Sequence, residues 1–409
     1  MPASTRSARI RTLTAAAAGA AAVLSLTAAC AVTTATTNPA GSGGLSDHGG
    51  QRTAAVNPGL TGNAITLTTN AEFSGYDAAT DSSGTTYVGW IGDTGSLRKV
   101  DLCVLPRGAK SCKGGVQQID PPDGDSSADG LRVLVTGPQS VTLVWFHNAD
   151  ASETGPQGSE ISTATVQGGI LSAGRDVATA PSFGTMLDAV IGPDGTIWVV
   201  TRGGGNAVQV RPGLANPPVT LKTPYLIGYA LLRFAGTEPV LVIDKDGAIS
   251  SPVSFASQHS GSWSAFGAVA GTWTGTANFG LATTRSGVRL IATTNSASYQ
   301  PVVSTWTGSA FGVRTLTGDH NSCAPGSHDA VSDASGRLAD VSVECDDIAV
   351  ANLADTLHAA IFRYDVHGTF AGGQPQLTTS PNGTGWVAWS IESAHGDELL
   401  VAPLRLAGR

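Results

Sequence analysis

Leu187-Asp188-Ala189-Val190-Ile191-Gly192-Pro193-Asp194-Gly195-Thr196-Ile197-Trp198-Val199-Val200 contains two apolar runs separated by Pro-Asp-Gly. Pro presets its own φ, and Gly accepts the positive φ that a tight reversal needs. The two runs are therefore expected to fold back on each other as a β-hairpin. The reversal recurs at Asp81-Ser82-Ser83-Gly84, Pro138-Gln139, Phe234-Ala235-Gly236, Arg285-Ser286-Gly287, Asp333-Ala334-Ser335-Gly336 and Pro381-Asn382-Gly383. Anchored at Gly84, Gln139, Gly195, Gly236, Gly287, Gly336 and Gly383, the units step by 55, 56, 41, 51, 49 and 47 residues.

Six places before each anchor the residue is apolar: Ala78, Val133, Ala189, Ala230, Leu281, Ala330 and Leu377. Six places after it, Trp90, Trp145 and Trp389 coincide, and Thr201 and Thr293 hold the same place in two other units. Further strand-like runs follow the hairpins, such as Ala207-Val208-Gln209-Val210 and Val302-Val303-Ser304-Thr305-Trp306. Four strands in about 50 residues, repeated seven times, predict an all-β fold: a seven-bladed β-propeller with four-stranded blades over residues 63–409. A six-bladed ring and a pair of stacked sandwiches are the alternatives. The last unit ends after its third strand, and Asn63-Ala64-Ile65-Thr66-Leu67-Thr68 precedes the first hairpin as an orphan strand. That strand is expected to become the outer strand of the last blade, so that the ring is closed by the N-terminal strand and its exposed edges vanish. The units resemble NHL-type and related bacterial propellers, whose blades carry an apolar strand, Pro-Asp-Gly and a strand with an aromatic. The resemblance implies the architecture and says almost nothing about a ligand.

Composition agrees with this reading. Of 409 residues, 13% are charged and 52 are Gly, which excludes a coiled coil and a charged disordered tail. Net charge is −8; with Arg6, Arg9 and Arg11 set aside, 20 basic face 31 acidic residues. Such a body repels phosphate backbones and anionic lipid surfaces, so no nucleic acid partner is expected.

Residues 1–30 read as an export signal. Arg6, Arg9 and Arg11 form a positive region, and Thr14 to Leu26 is an apolar run too short to span a bilayer comfortably. Leu26-Thr27-Ala28-Ala29-Cys30 resembles a bacterial lipobox, although Thr27 stands where that pattern has Leu. The resemblance implies a lipoprotein lipidated on Cys30 at the outer face of the cytoplasmic membrane; cleavage after Ala31 and plain secretion is the alternative. With Cys30 set aside, Cys103, Cys112, Cys323 and Cys345 form two local pairs, an even count that suits two disulfides in an exported protein; free buried thiols are the alternative. Residues 31–62 are rich in Thr, Ala, Gly, Ser and Asn and read as a flexible tether spanning roughly 30 Å.

In a propeller the innermost strands line an axial channel whose mouth is the usual place for a ligand. Seven places before each anchor stand Asp77, Arg132, Asp188, Tyr229, Gly280, Asp329 and Gln376. Six are polar, and the three carboxylates are expected to converge, raise one another's pKa and make a negative mouth able to bind a cation or cationic ligand. A solvated channel mouth is the bland alternative. Asp123, Asp125 and Asp129 place oxygens as a Ca2+ loop does, but the run departs from the EF-hand pattern at Ala128 and Leu134; an ordinary acidic loop is the alternative. His320, His328, Asp329, Asp346 and Asp347 offer imidazole and carboxylate for zinc. No cofactor is certain from these patterns. Trp263, Trp273 and Trp306 are candidates for stacking on sugars.

No Gly-x-Ser-x-Gly elbow, His-Glu-x-x-His, P-loop or dinucleotide fingerprint occurs. The sequence therefore favours an extracytoplasmic binding module over an enzyme. Its expected partner is a protein, glycan or small ligand, the protein is expected to be monomeric, and the membrane is met only through the N-terminal lipid. The alternative is a hydrolase or lyase at the same mouth, such as a sialidase-like glycosidase using Arg132, Arg233 and Tyr76 or Tyr229. No Phe/Tyr-Arg-Ile-Pro motif appears, the turns depart from the Asp-box, and a negative mouth would repel a sialate carboxylate.

Overall fold

The structure is a computed structural model, and it describes residues 59–69, 71–93, 98–119, 127–148, 159–180, 186–246, 252–273, 279–294, 301–315, 328–344, 347–353, 360–365, 369–370, 374–393 and 396–406. The chain divides into Met1–Thr53 and Ala54–Arg409, and the described residues all belong to the second unit. Among the described residues there is no α-helix, and the strands make seven antiparallel sheets of four to six strands in an all-β, propeller-like arrangement.

The innermost strands, in chain order, are Ala71–Thr80, Ser127–Gly137, Met186–Ile191, Ile227–Ala235, Gly280–Thr284, His328–Ser332 and Gln376–Thr379. Each pairs with the strand that follows it across a hairpin. All seven anchors sit at the reversal with positive φ: Gly84 85°, Gln139 54°, Gly195 81°, Gly236 66°, Gly287 111°, Gly336 82° and Gly383 80°. Gln139, the one departure from Gly in that column, adopts the left-handed backbone all the same.

The turns come in two lengths. In the first, third, sixth and seventh sheets a wide turn is braced by Asp81, Asp194, Asp333 or Asn382, whose side-chain oxygen accepts from a backbone N–H two residues on, at 2.8, 3.0, 2.9 and 3.1 Å. The second, fourth and fifth sheets reverse in two residues, since Gly137 pairs Ser140, Ala235 pairs Glu238 and Thr284 pairs Gly287. Phe234 and Ala235 therefore belong to a strand rather than to the turn expected there.

Packing explains why second strands such as Glu238–Lys245 are apolar on both faces. Leu231, Val240 and Val242 meet Leu281 and Leu290 of the fifth sheet, whereas Leu232, Leu241 and Ile243 meet Leu187 and Val200 of the third. Successive side chains leave a strand on opposite faces, so a sheet stacked on both sides needs apolar residues at every place. The same relation recurs along the chain. Every sheet shares one buried cluster with the sheet before it and one with the sheet after it, and the seventh shares one with the first. Trp90, Trp145 and Trp389 are buried in three of these layers.

Ile65–Thr68 pairs antiparallel with Gly396–Arg405, matching Ile65 to Val401 and Thr66 to Leu400. Gly59–Leu60 pairs with Arg405 and Leu404, so strand pairing begins inside the stretch read as a tether over 31–62. Cys103 and Cys112 form a disulfide with an S–S distance of 2.10 Å. Cys30, Cys323 and Cys345 lie outside the described residues.

Candidate functional site

The last residues of the inner strands before their turns enclose a cavity of about 390 Å³, to which all seven sheets contribute. Asp77, Arg132, Asp188, Tyr229, Asp329 and Gln376 all line it. Gly280, the remaining member of that column, does not. A Cβ there would lie 2.8 Å from Ala330 Cβ and 3.0 Å from Ala330 N, so glycine lets the fifth inner strand close against the sixth.

The carboxylates do more than face the cavity. The N–H of Val133 donates to Asp77 Oδ2 at 2.6 Å, that of Leu232 to Asp188 Oδ2 at 2.8 Å and that of Leu377 to Asp329 Oδ2 at 2.7 Å. Each acid thus ties its own inner strand to the next sheet, satisfying a buried backbone donor with a charge-assisted bond. The acids are buried: Asp188 is 2% exposed, Asp77 and Asp329 8%.

The cavity has two unlike halves. Arg132 Nε donates to Asp188 Oδ1 at 3.1 Å and Arg233 Nη1 donates to Asp188 Oδ2 at 2.8 Å, so one carboxylate is held between two guanidiniums. Both arginines are also tied to carbonyls, Arg132 to Leu131 and Leu187, Arg233 to Leu232. Burial opposes the charge on Arg132, but Asp188 and Asp77 outweigh it and hold its pKa above the usual value. Across the cavity, burial pushes Asp77 up to about 6 against the opposing pull of Arg132, and Asp329 up to about 7 against its bond from Leu377 and the field of Arg233. Desolvation is the leading cause in both; repulsion by Asp188 on Asp77 and by Asp77 on Asp329 raises them further but ranks well below it. Three carboxylates and two arginines line the cavity, so the expected negative mouth holds while Asp77 and Asp329 are both ionised, and its charge is lost as they take up protons.

Arg233 was placed in the sequence only as an accessory of the enzyme alternative. Counting back seven places from Gly236 lands on Tyr229, although Leu232, four places before Gly236, makes the bond to Asp188 that Val133 and Leu377, six places before their anchors, make to Asp77 and Asp329. Tyr229 reaches the cavity as well, and burial, the leading cause, raises its pKa.

The other candidates lie partly outside the described residues. Asp123 and Asp125 lie outside the described residues, and Asp129 lies in Ser127–Gly137 opposite Phe146, on a strand rather than in a loop. His320 and Asp346 also lie outside. Neighbouring strand residues point oppositely, so His328 and Asp329 part company: Asp329 enters the cavity while His328 Nδ1 meets buried Asp340 Oδ2 at 2.9 Å and Nε2 lies 3.4 Å from Thr293 Oγ1. Trp306 is core, with ring centroids 5.4 Å from Phe255 and 5.2 Å from Phe311. Trp263 is half-buried in the core between the third and fourth sheets, and the side chain of Trp273 is outside the described residues.

One constellation escaped sequence reasoning. His147, Glu160 and Asp176 gather on three strands of the second sheet, with imidazole and carboxylate atoms within 4.8 Å of one another. His147 Nε2 lies 2.8 Å from Asp176 Oδ1, which also accepts from Ser162 Oγ at 2.6 Å. Burial would raise the Asp176 pKa, but the bonds from Ser162 and His147 lower it on balance. These are the described residues with a donor set for a cation. The buried His147 Nδ1 has no partner, however, and a metal-bound imidazole would need one for its N–H. The arrangement is that of an Nε2–H donating to a carboxylate. No spacing along the chain announces it, because the three residues meet only across the ladder.

No protein-family model matches the chain, and no curated protein matches it in sequence. Solved structures do resemble it. The polysaccharide lyase Uly1 aligns over 85% of this chain and 100% of its own, at 10% identity and a TM-score of 0.51. BBS1N in complex with ARL6DN aligns over 85% and 96%, at 8% identity and 0.51. Trypanosoma rangeli sialidase in complex with the inhibitor DANA aligns over 72% and 55%, at 7% identity and 0.45. At such identities the likeness is one of fold alone: the chain shares an all-β, propeller-like architecture with proteins of diverse description.

Proposed function

We propose that the chain is an exported binding protein: a seven-bladed propeller of four-stranded blades, its ring closed by Ile65–Thr68 in the seventh blade, that takes a small polar ligand at the mouth of its axial cavity. The cycle of seven shared clusters and the pairing of Ile65 with Val401 support the ring. The reading of the mouth rests on one observation, the convergence of Asp77, Arg132, Asp188, Tyr229, Asp329 and Gln376 on a cavity of about 390 Å³. That volume lies within the range of small-molecule sites. Export rests on the sequence: the Arg6–Arg11 positive region, the short apolar run and Cys30 as the lipidated residue on the outer face of the cytoplasmic membrane, a protein or glycan there being a further candidate partner.

The test is a glycan array and a small-metabolite thermal-shift screen on the wild type and on the Asp77→Asn/Asp329→Asn double variant. Binding that falls at least tenfold in the variant supports the mouth. Undiminished binding moves the ligand elsewhere.

A second reading is favoured by the acids themselves. Carboxyls poised at about 6 and about 7 hold a proton near neutrality, as a general acid must. A glycoside hydrolase or lyase would use them so. The sialidase version fares worse, because Arg132 and Arg233 already hold Asp188 rather than standing free for a substrate carboxylate. Turnover of chromogenic glycosides or of a polyuronate, abolished by Asp329→Asn, would establish the enzyme; no turnover across the panel would remove it.

A further inference from the structure

The seam between the seventh and first sheets contains a second cleft, of about 620 Å³. One wall is the chain entering the Ile65–Thr68 strand, another is the corner 107–110 of the first sheet, and the third is formed by Trp386 and Pro403 of the seventh. Its charged lining residues are Arg107, Lys110 and Arg405, and it has no carboxylate. All three cations are exposed, and none makes an ion pair among the described residues. Beyond residue 11 acids outnumber bases 31 to 20, so a cleft with three bases and no acid runs against the charge of the whole body.

The cations stand on a fixed frame. The Cys103–Cys112 disulfide closes the loop that carries Arg107 and Lys110, and within it Ala109 N–H donates to Pro106 O at 2.9 Å and Lys113 N–H to Val104 O at 2.8 Å. The Arg107 stem rests over the Gly84 turn, 3.6 Å from where a Cβ would stand. Arg405 lies on a strand paired on both sides, with Thr384 and with Gly59. Two forked guanidiniums and an ammonium, held on one loop and one strand around a concavity, suit several anionic groups at once, since guanidinium binds carboxylate or phosphate bidentately.

We infer that this cleft binds a small oligoanion, about the size of a disaccharide or trisaccharide, whose carboxylate or phosphate groups meet Arg107, Lys110 and Arg405. The site is separate from the axial cavity and does not depend on the reading of that cavity. Two sources supply this chemistry, a uronate oligosaccharide and a condensed phosphate.

The experiment is titration calorimetry of the full chain with trigalacturonate and with tripolyphosphate, using maltotriose and inorganic phosphate as controls, at 50 and 500 mM salt. At least one oligoanion is expected to bind with a submillimolar constant that weakens about tenfold at the higher salt, as screening of exposed charges requires. Arg107→Gln/Lys110→Gln/Arg405→Gln is expected to lose at least tenfold in affinity with its melting temperature unchanged. If that variant fails to fold, Arg405→Gln alone, expected to lose at least threefold, carries the test. Asp77→Asn/Asp329→Asn is expected to bind the oligoanion as the wild type does. The stronger of the two probes identifies the source. Absence of binding by both oligoanions, equal binding of inorganic phosphate, or full affinity in the charge-neutralised variant would overturn the inference.

Discussion

The axial cavity sets two ways of burying a carboxylate side by side. Asp188 lies between Arg132 and Arg233 and keeps company with opposite charge. Asp77 and Asp329 occupy the equivalent place in their own sheets, make the same bond to the next strand, and lack an arginine in contact. Same residue, same register and same backbone partner yield a salt-bridged acid in one half and two proton-holding acids in the other. The difference lies in the neighbouring strands: Arg132 and Arg233 flank Asp188 and both bond to it; Arg132 also follows Asp77 but spends its donors on Asp188, Leu131 and Leu187, and Gln376 follows Asp329. Position in the repeat sets where a carboxyl stands, and the adjacent sheets set its charge.

The largest effect is expected from Asp188→Asn. It removes from two part-buried guanidiniums the carboxylate that binds them both, a loss of up to about 3–5 kcal/mol, and it should lower the urea midpoint at every pH from 5 to 8. A midpoint unchanged from wild type would mean that the arginine half is not an ionic unit.

Asp329→Asn probes the other half with the opposite sign. Burial raises the Asp77 and Asp329 carboxyls above their unfolded value, so the native state keeps protons that the unfolded chain has released. Their favourable contribution is complete below about pH 4 and is lost as pH rises through about 6 for Asp77 and about 7 for Asp329. The Asn variant keeps an acceptor for Leu377 N–H and should match wild type near pH 4. By pH 8 it should be more stable by about 3–4 kcal/mol, as the shift at Asp329 implies. Equal pH dependence in both proteins, read from unfolding free energies, would erase the distinction between the halves.

Arg233→Gln sharpens the comparison, because this arginine touches Asp188 and its field also lowers the Asp329 pKa. A loss of about 1.5–3 kcal/mol is expected for the charged hydrogen bond, together with an upward move of the Asp329 titration in carbon-detected NMR. The smallest effect concerns the turn that leads away from Arg132. Gln139 holds φ 54°, so Gln139→Gly should stabilise the second hairpin by up to about 1 kcal/mol in thermal melts.

Much of this was legible in the chain. Local turn chemistry marked all seven reversals, including the one at Gln139, and alternating apolar places marked the faces that stack. The polar column before the apolar one located the cavity, since a period-two strand that packs at one residue must turn the preceding residue elsewhere. Other features were hidden. Arg233 stands three places before Gly236 and so falls outside a column counted seven places back. The pairing of Asp188 with its arginines joins residues 56 and 45 apart, which no local pattern encodes. Desolvation, the cause that lifts Asp77 and Asp329, depends on the finished packing. His147, Glu160 and Asp176 likewise become neighbours only across a ladder.

The seventh sheet is spun from both ends of the chain, and its bond from Thr61 to Pro403 joins residues 342 apart. Its strands from Gln376 to Arg405 pair locally, so the docking of Ile65–Thr68 is the step expected to come late, because it must close that long span. Until it forms, the strand edge at Gly396–Arg405 stands open to strands of other chains, so the interval before docking is when aggregation threatens and when a holding chaperone would be of most use.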